Sequence, residues 1–135
     1  MNTSVIWIAL PSTPGLDSWL GKVRAAGLLP VRVDSVDVAL QVLTQFRAGA
    51  VVYQAAIDNG AGDCGRLVDT GAAIVAVMKE PRYSQMYLSV GCAAVVADRC
   101  PGTVLVDVLK NVAAGKRNLV WPEMAAGAAP VSAAG

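Results

Sequence analysis

Five times along this chain a short apolar run gives way to a segment whose apolar residues recur at helical spacing. The strand-like runs are Val5–Leu10, Pro30–Val33, Ala50–Ala55, Ala72–Val77 and Ala93–Val96. Most are continuous rather than alternating, which is the pattern of strands covered on both faces. Strand 2, Val31-Arg32-Val33-Asp34, does alternate and suits a sheet edge. The first helix carries Leu16, Trp19, Leu20 and Val23 on one stripe, with Gly27 as C-cap and Pro30 soon after. Ser35 is placed to cap a second helix over Val36–Arg47, whose stripe is Val36, Ala39, Leu40, Leu43 and Phe46. A short third helix is predicted over Asp63–Asp69, preceded by a loop at Asp58-Asn59-Gly60-Ala61-Gly62. A fourth spans about Tyr83–Val90 and stops at Gly91; a fifth spans Gly102–Ala114 and stops at Gly115. Strands alternating with helices over short connections leave one economical solution. It is an α/β fold, (βα)5, with a doubly wound five-stranded parallel sheet and right-handed crossovers.

The chain of 135 residues is long enough for one domain, predicted over residues 1–121. From Pro122 onward it turns small, uncharged and aperiodic, and residues 122–135 read as a flexible Ala/Gly/Pro linker or tail. Apolar residues make up 55% and charged ones 16%, so most faces of the elements must be buried. Eleven basic against ten acidic residues give a net charge of +1, with no basic patch to footprint nucleic acid or an anionic membrane. The apolar run Val5–Leu10 is too short for a membrane span or a signal peptide, and a cytoplasmic protein is expected.

The chemistry at the strand ends is sparse. In doubly wound sheets, sites form in the loops after the strands. Strand 1 runs into Leu10-Pro11, strand 3 into Ala55-Ala56, and strand 5 into Asp98-Arg99. No carboxylate cluster assembles there for magnesium, which requires oxygen ligands. The chain has no histidine, which removes the commonest general base, and its three cysteines form no CxxC pair. No metal site, cofactor or enzymatic activity is expected. Pro11-Ser12-Thr13-Pro14-Gly15 precedes a helix, yet it matches no phosphate-binding motif and two prolines remove N–H donors. Asp58 reads as a loop acid in an Asx-turn with Gly60. Cys64 and Cys92 read as packing, whereas Cys100 follows Arg99 at a helix start, a setting that favours the thiolate.

Element order and spacing over residues 5 to about 115 resemble the receiver domain of the response-regulator family, the flavodoxin/CheY-like arrangement with strand order 2-1-3-4-5. Gly91-Cys92-Ala93-Ala94-Val95-Val96 resembles that family's entry into strand 5, and Ser35-Val36-Asp37-Val38-Ala39-Leu40 its second-helix start. Asn111-Val112-Ala113-Ala114-Gly115-Lys116-Arg117 resembles the receiver ends of NarL/FixJ-type regulators, in which a linker leads to a DNA-binding domain. Carried over position by position, the resemblance puts the acidic pair on Leu10 and Pro11. The phospho-acceptor falls on Ala55, or on Gln54 one residue earlier. The lysine after strand 5 falls on Asp98, the switch hydroxyl between Ala76 and Met78, and the switch aromatic on Val95. Every functional position departs from the family, and the chain is similar to its atypical, pseudo-receiver branch.

The resemblance implies a non-phosphorylatable regulatory and dimerisation module of a signalling or transcription-regulator protein. A stand-alone scaffold, for example in assembly or localisation, and a small-ligand sensor using the vacated pocket are the alternatives. A homodimer is expected, possible protein partners aside, with Tyr83, Met86 and Tyr87 on the fourth helix as its interface, since aromatics and Met are enriched at interface cores.

Overall fold

Alternate residues of a strand face opposite sides of a sheet, and that period decides how the molecule is layered. The computed structural model describes residues 4–8, 16–33, 35–45, 47–54, 60–78, 84–97 and 100–121. The strands are β1 (Ser4–Ile8), β2 (Leu29–Val33), β3 (Ala50–Gln54), β4 (Ile74–Met78), β5 (Ala94–Ala97) and β6 (Leu119–Trp121). Between them lie α1 (Leu16–Ala25), α2 (Val36–Gln45), α3 (Gly60–Val68), α4 (Ser84–Ser89) and α5 (Gly102–Ala113). The sheet is parallel throughout, in the order β2-β1-β3-β4-β5-β6.

Val5, Trp7, Val52, Val75, Val77 and Val96 turn one way and pack under Trp19, Leu20 and Val23 of α1 and Leu105, Val108 and Leu109 of α5. Ile6, Ile8, Val51, Tyr53, Ile74, Ala76, Met78 and Val95 turn the other way, against Ala39 of α2, Cys64 and Leu67 of α3, and Tyr87 of α4. Two cores on two faces explain why the strands read as unbroken apolar runs. The predicted α/β class and the order 2-1-3-4-5 hold, with β2 at one edge where Leu29 and Val31 are exposed.

The far edge differs from expectation. A sixth strand, β6, pairs with β5 and displaces it from the edge. Three residues are too short to show a period, so Leu119-Val120-Trp121 carries no strand signature of its own. Its cue lies just before it. The Gly115 N–H donates to Val112 O and the Lys116 N–H to Asn111 O, with Gly115 at φ 100° and Asn118 at φ 63°. That pair of bonds is a Schellman stop, and it turns the chain back so that the Leu119 N–H reaches Ala93 O at 3.2 Å.

Helix ends otherwise follow the sequence closely. The Ser35 hydroxyl accepts the Val38 N–H at 3.2 Å and caps α2 as predicted. Helix α3 starts three residues earlier than expected, at Gly60; tertiary context overrides the weak helix propensity of glycine there. Helix α4 ends with the same double bond pattern as α5, Gly91 N–H to Leu88 O and Cys92 N–H to Tyr87 O. Gly91 has φ 109°, and a Cβ there would lie 2.7 Å from Val68 Cγ1. Glycine is therefore required twice over at this turn, by backbone and by contact with α3.

Candidate functional site

The carboxyl ends of β1, β3, β4 and β5 come together at one edge of the sheet. Ile8 pairs with Tyr53, Gln54 with Val77, and Met78 with Ala97. Leu10 and Pro11 follow β1 in the chain, Ala55 follows β3 and Asp98 follows β5; all four lie outside the described residues, as do Asp58, Tyr83 and the tail 122–135. The strand ends that lead into these loops are described: Ile8, Gln54 and Ala97, apolar at β1 and β5 and polar at β3. Met78, the last residue of β4, is 7% exposed, and Val95 on β5 is fully buried beside Ala76. Both residues, expected from the sequence at switch positions, sit in the second core and carry no hydroxyl or ring.

Among the described residues, one polar contact near this edge is not announced by spacing. The Tyr53 hydroxyl, at the penultimate position of β3, donates to Asp63 Oδ2 at 2.7 Å. It ties the strand end to the first turn of α3. Arg66, one helical turn on, reaches Asp37 of α2 at 2.8 Å across the surface. That exposed pair contributes little to stability, but it and Tyr53 together orient α3.

Tyr87 corrects the expectation for helix 4. It is 5% exposed and belongs to the second core, where burial, followed by the neighbouring Cys64, Cys92 and Asp63, raises its phenol above the ordinary value. It is therefore a packing residue, unable to lead an interface. Met86, next to it, is 47% exposed. Of the expected residues that are described, Met86 is exposed and Tyr87 is buried.

Cys100 also departs from expectation. Burial raises its thiol from 9.0 to about 11, the opposite of the thiolate that its helix-start position suggested. Its carbonyl accepts the Trp19 indole N–H at 2.8 Å, and Trp19 packs against Trp7 with ring centroids 6.2 Å apart. The Trp7 Nε1–H is buried with no hydrogen-bond partner among the described residues.

These shifts give a pH dependence with a definite sign. Folded Cys100 holds its proton more tightly than the unfolded chain does, so the unfolded state binds fewer protons across that range. Stability is then full below pH 9.0 and falls as the pH rises toward about 11. Cys64 and Tyr87 are shifted in the same direction. Urea unfolding at pH ~8 and pH ~10.5 should show a lower midpoint at the higher pH, the Cys100 share being at most about 3 kcal/mol. Cys100→Ala should reduce that drop, and an equal drop in the variant would show that Cys100 takes no part.

A cavity of about 320 Å³ lies at the opposite, amino-terminal edge of the sheet, lined in part by Arg47, Gly49, Thr70, Gly71, Gly115 and Arg117. The C-terminal ends of α2, α3 and α5 meet there. Arg117 donates to Val112 O and Lys116 O at 3.3 and 2.8 Å, which suits a cation closing a helix C-terminus. Among the described residues, no group of three or more Cys, Asp or Glu side chains is placed to share a metal ion. No helix among them is long and apolar enough to cross a membrane.

Solved structures share this architecture over nearly their whole length. A LuxR-family two-component response regulator from Aurantimonas sp. SI85-9A1 superposes with a TM-score of 0.76 at 15% identity, covering 96% of each chain. The fold is that of a response-regulator receiver domain. A LuxR-family DNA-binding response regulator from Silicibacter pomeroyi gives 0.71 at 18% identity, over 89% of this chain and 97% of its own. The receiver domain of a sensor histidine kinase from Pseudomonas aeruginosa PAO1, with a magnesium ion coordinated in its active-site cleft, gives 0.70 at 12% identity, over 85% and 100%. No family model matches the sequence, and no curated protein does. The receiver fold is thus kept at identities of 12–18%.

Proposed function

We propose that this chain is a receiver-fold module that works without phosphorylation, as the regulatory and dimerisation unit of a signalling or transcription-regulator protein. One observation carries the reading: every position where a receiver needs a charge or a hydroxyl holds another chemistry. Leu10, Pro11 and Ala55 supply no metal ligand or acceptor, and Asp98 reverses the charge of the lysine. Met78 and Val95 are packed into an apolar core. The Pseudomonas receiver holds magnesium in its cleft; with these residues the present chain lacks the oxygen ligands such an ion requires. The module is non-enzymatic, because no base, acceptor or metal set is available to it.

A receiver that cannot be charged must signal through its contacts. With 55% apolar composition and Met86 standing exposed on α4, we propose that the contact is a two-fold homodimer using that helix. Light scattering over a concentration series, with and without acetyl phosphate and magnesium, tests this. A dimer of unchanged affinity under both conditions is the expected result. A monomer at ~100 μM, well above the micromolar constants of weak specific pairing, would remove the dimerisation role.

A further inference from the structure

Two of the three cysteines meet inside the second core. Cys64 lies in the middle of α3, fully buried, and Cys92 lies two residues before β5, 3% exposed. They are 28 residues apart in sequence, yet both belong to the same buried cluster, and Gly91, beside Cys92, lies against Val68, one helical turn after Cys64. The fold holds them there from both sides. On the α3 side, Tyr53 grips Asp63, the residue before Cys64. On the other side the Cys92 N–H closes the end of α4 on Tyr87 O, and Gly91 presses directly against Val68 of α3. A bulkier residue than glycine at position 91 would push this turn, and Cys92 with it, away from α3.

We propose that Cys64 and Cys92 form an oxidisable dithiol, bridged on exposure to a hydroperoxide so that α3 is covalently tied to the entry of β5. The chemistry balances in two steps. One thiol attacks the peroxide, its sulfur is oxidised to a sulfenic acid, and the O–O bond breaks with release of water (or an alcohol). The second thiol then attacks that sulfur, the S–O bond breaks, a second water leaves, and the disulfide remains.

Packing alone would be served by any two small apolar residues; thiol set against thiol adds a bond that can be made and broken. Burial sets the rate. The folded pair is shielded from solvent and Cys64 is held firmly protonated, chiefly by its hydrogen bond with Cys92, whereas the reacting species is the thiolate. Oxidation therefore proceeds through local opening of the α4 turn. That helix has only six residues, and short helices with few contacts open at the low-energy end of a protein's range. The bridge, once closed, would hold α3, the α4 turn and β5 in one arrangement. The proposal stands apart from the dimer and from the phosphorylation reading, since it concerns other residues and another reagent.

The full chain should be incubated with hydrogen peroxide at pH ~8, then alkylated in denaturant and mapped as peptides without reduction. The expected product has lost two hydrogen atoms and joins the Cys64 peptide to the Cys92 peptide, with Cys100 still alkylated. Cys64→Ala and Cys92→Ala should each abolish it and Cys100→Ala should not; the wild-type peptide map decides the matter should an alanine variant fold poorly. Closing a loop of this length should raise Tm by on the order of 10 °C, reversed by dithiothreitol. Cys64 and Cys92 both recovered as free thiols, or bridged to Cys100 or to another chain, would overturn the proposal. A bridge that forms with no rise in Tm would also overturn it, because it would then strain the native fold as much as it restricts the unfolded chain.

Discussion

Incubated with acetyl phosphate and magnesium, the protein should keep its intact mass. A receiver transfers a phosphoryl group by holding a divalent ion against clustered carboxylates, one of which is the acceptor, while a lysine steadies the incoming oxygens. In the register proposed above, Leu10-Pro11 stands for the first pair, Ala55 (or Gln54) for the acceptor, and Asp98 puts a negative charge where a positive one is required. The losses compound. Magnesium keeps most of its waters and needs several oxygen ligands, and an acceptor without the metal meets the donor's negative charge unshielded. Ala55→Asp alone should therefore not bind magnesium well, since one carboxylate cannot supply the ligands the ion requires. A stoichiometric gain of one phosphoryl group would sink this reading. Loss of that gain in Asp58→Asn would identify the loop acid as a displaced acceptor.

The fold was largely legible in the residues because burial on both faces leaves a plain mark: five apolar runs at parallel-sheet spacing, separated by helical stripes. Ser35 as a cap and Gly27, Gly91 and Gly115 as stops were readable for the same reason, each being a local demand on one residue type. What escaped notice was non-local. Tyr53 and Asp63 meet only because α3 starts at Gly60 and turns its first acid back to the strand. Cys64 and Cys92 meet only because Gly91 lets a turn lie against Val68. Strand β6 is three residues long and gains its identity from pairing with β5. The site positions were readable as identities but not as surroundings. That Met78 and Val95 are buried follows from both faces of β4 and β5 being covered, whereas the direction of the Cys100 shift depended on how closely it is buried.

Tyr87 shows how that difference decides an experiment. A helix of pattern Ser84-Gln85-Met86-Tyr87-Leu88-Ser89 offers Met86 and Tyr87 as equals on composition, yet adjacent helical positions point about 100° apart. One of them must turn inward, and it is Tyr87. Tyr87→Glu should therefore unfold the domain or destabilise it by about 4 kcal/mol or more, because it buries an unpaired carboxylate. That carboxylate would stand near Asp63, among neighbours that already oppose negative charge at this position. Against a total stability of about 5–15 kcal/mol, such a loss is most of what a small domain has. Met86→Glu is the informative counterpart. At an exposed position it should change the urea midpoint by no more than about 0.5 kcal/mol. If α4 is the dimer face, the same substitution should nevertheless dissociate the dimer at micromolar concentration, since like charges would face each other across the two-fold axis. A Met86→Glu protein that stays folded and dimeric would move the interface to the face formed by α1 and α5. A Tyr87→Glu protein as stable as the wild type would show that the tyrosine is not held in the core.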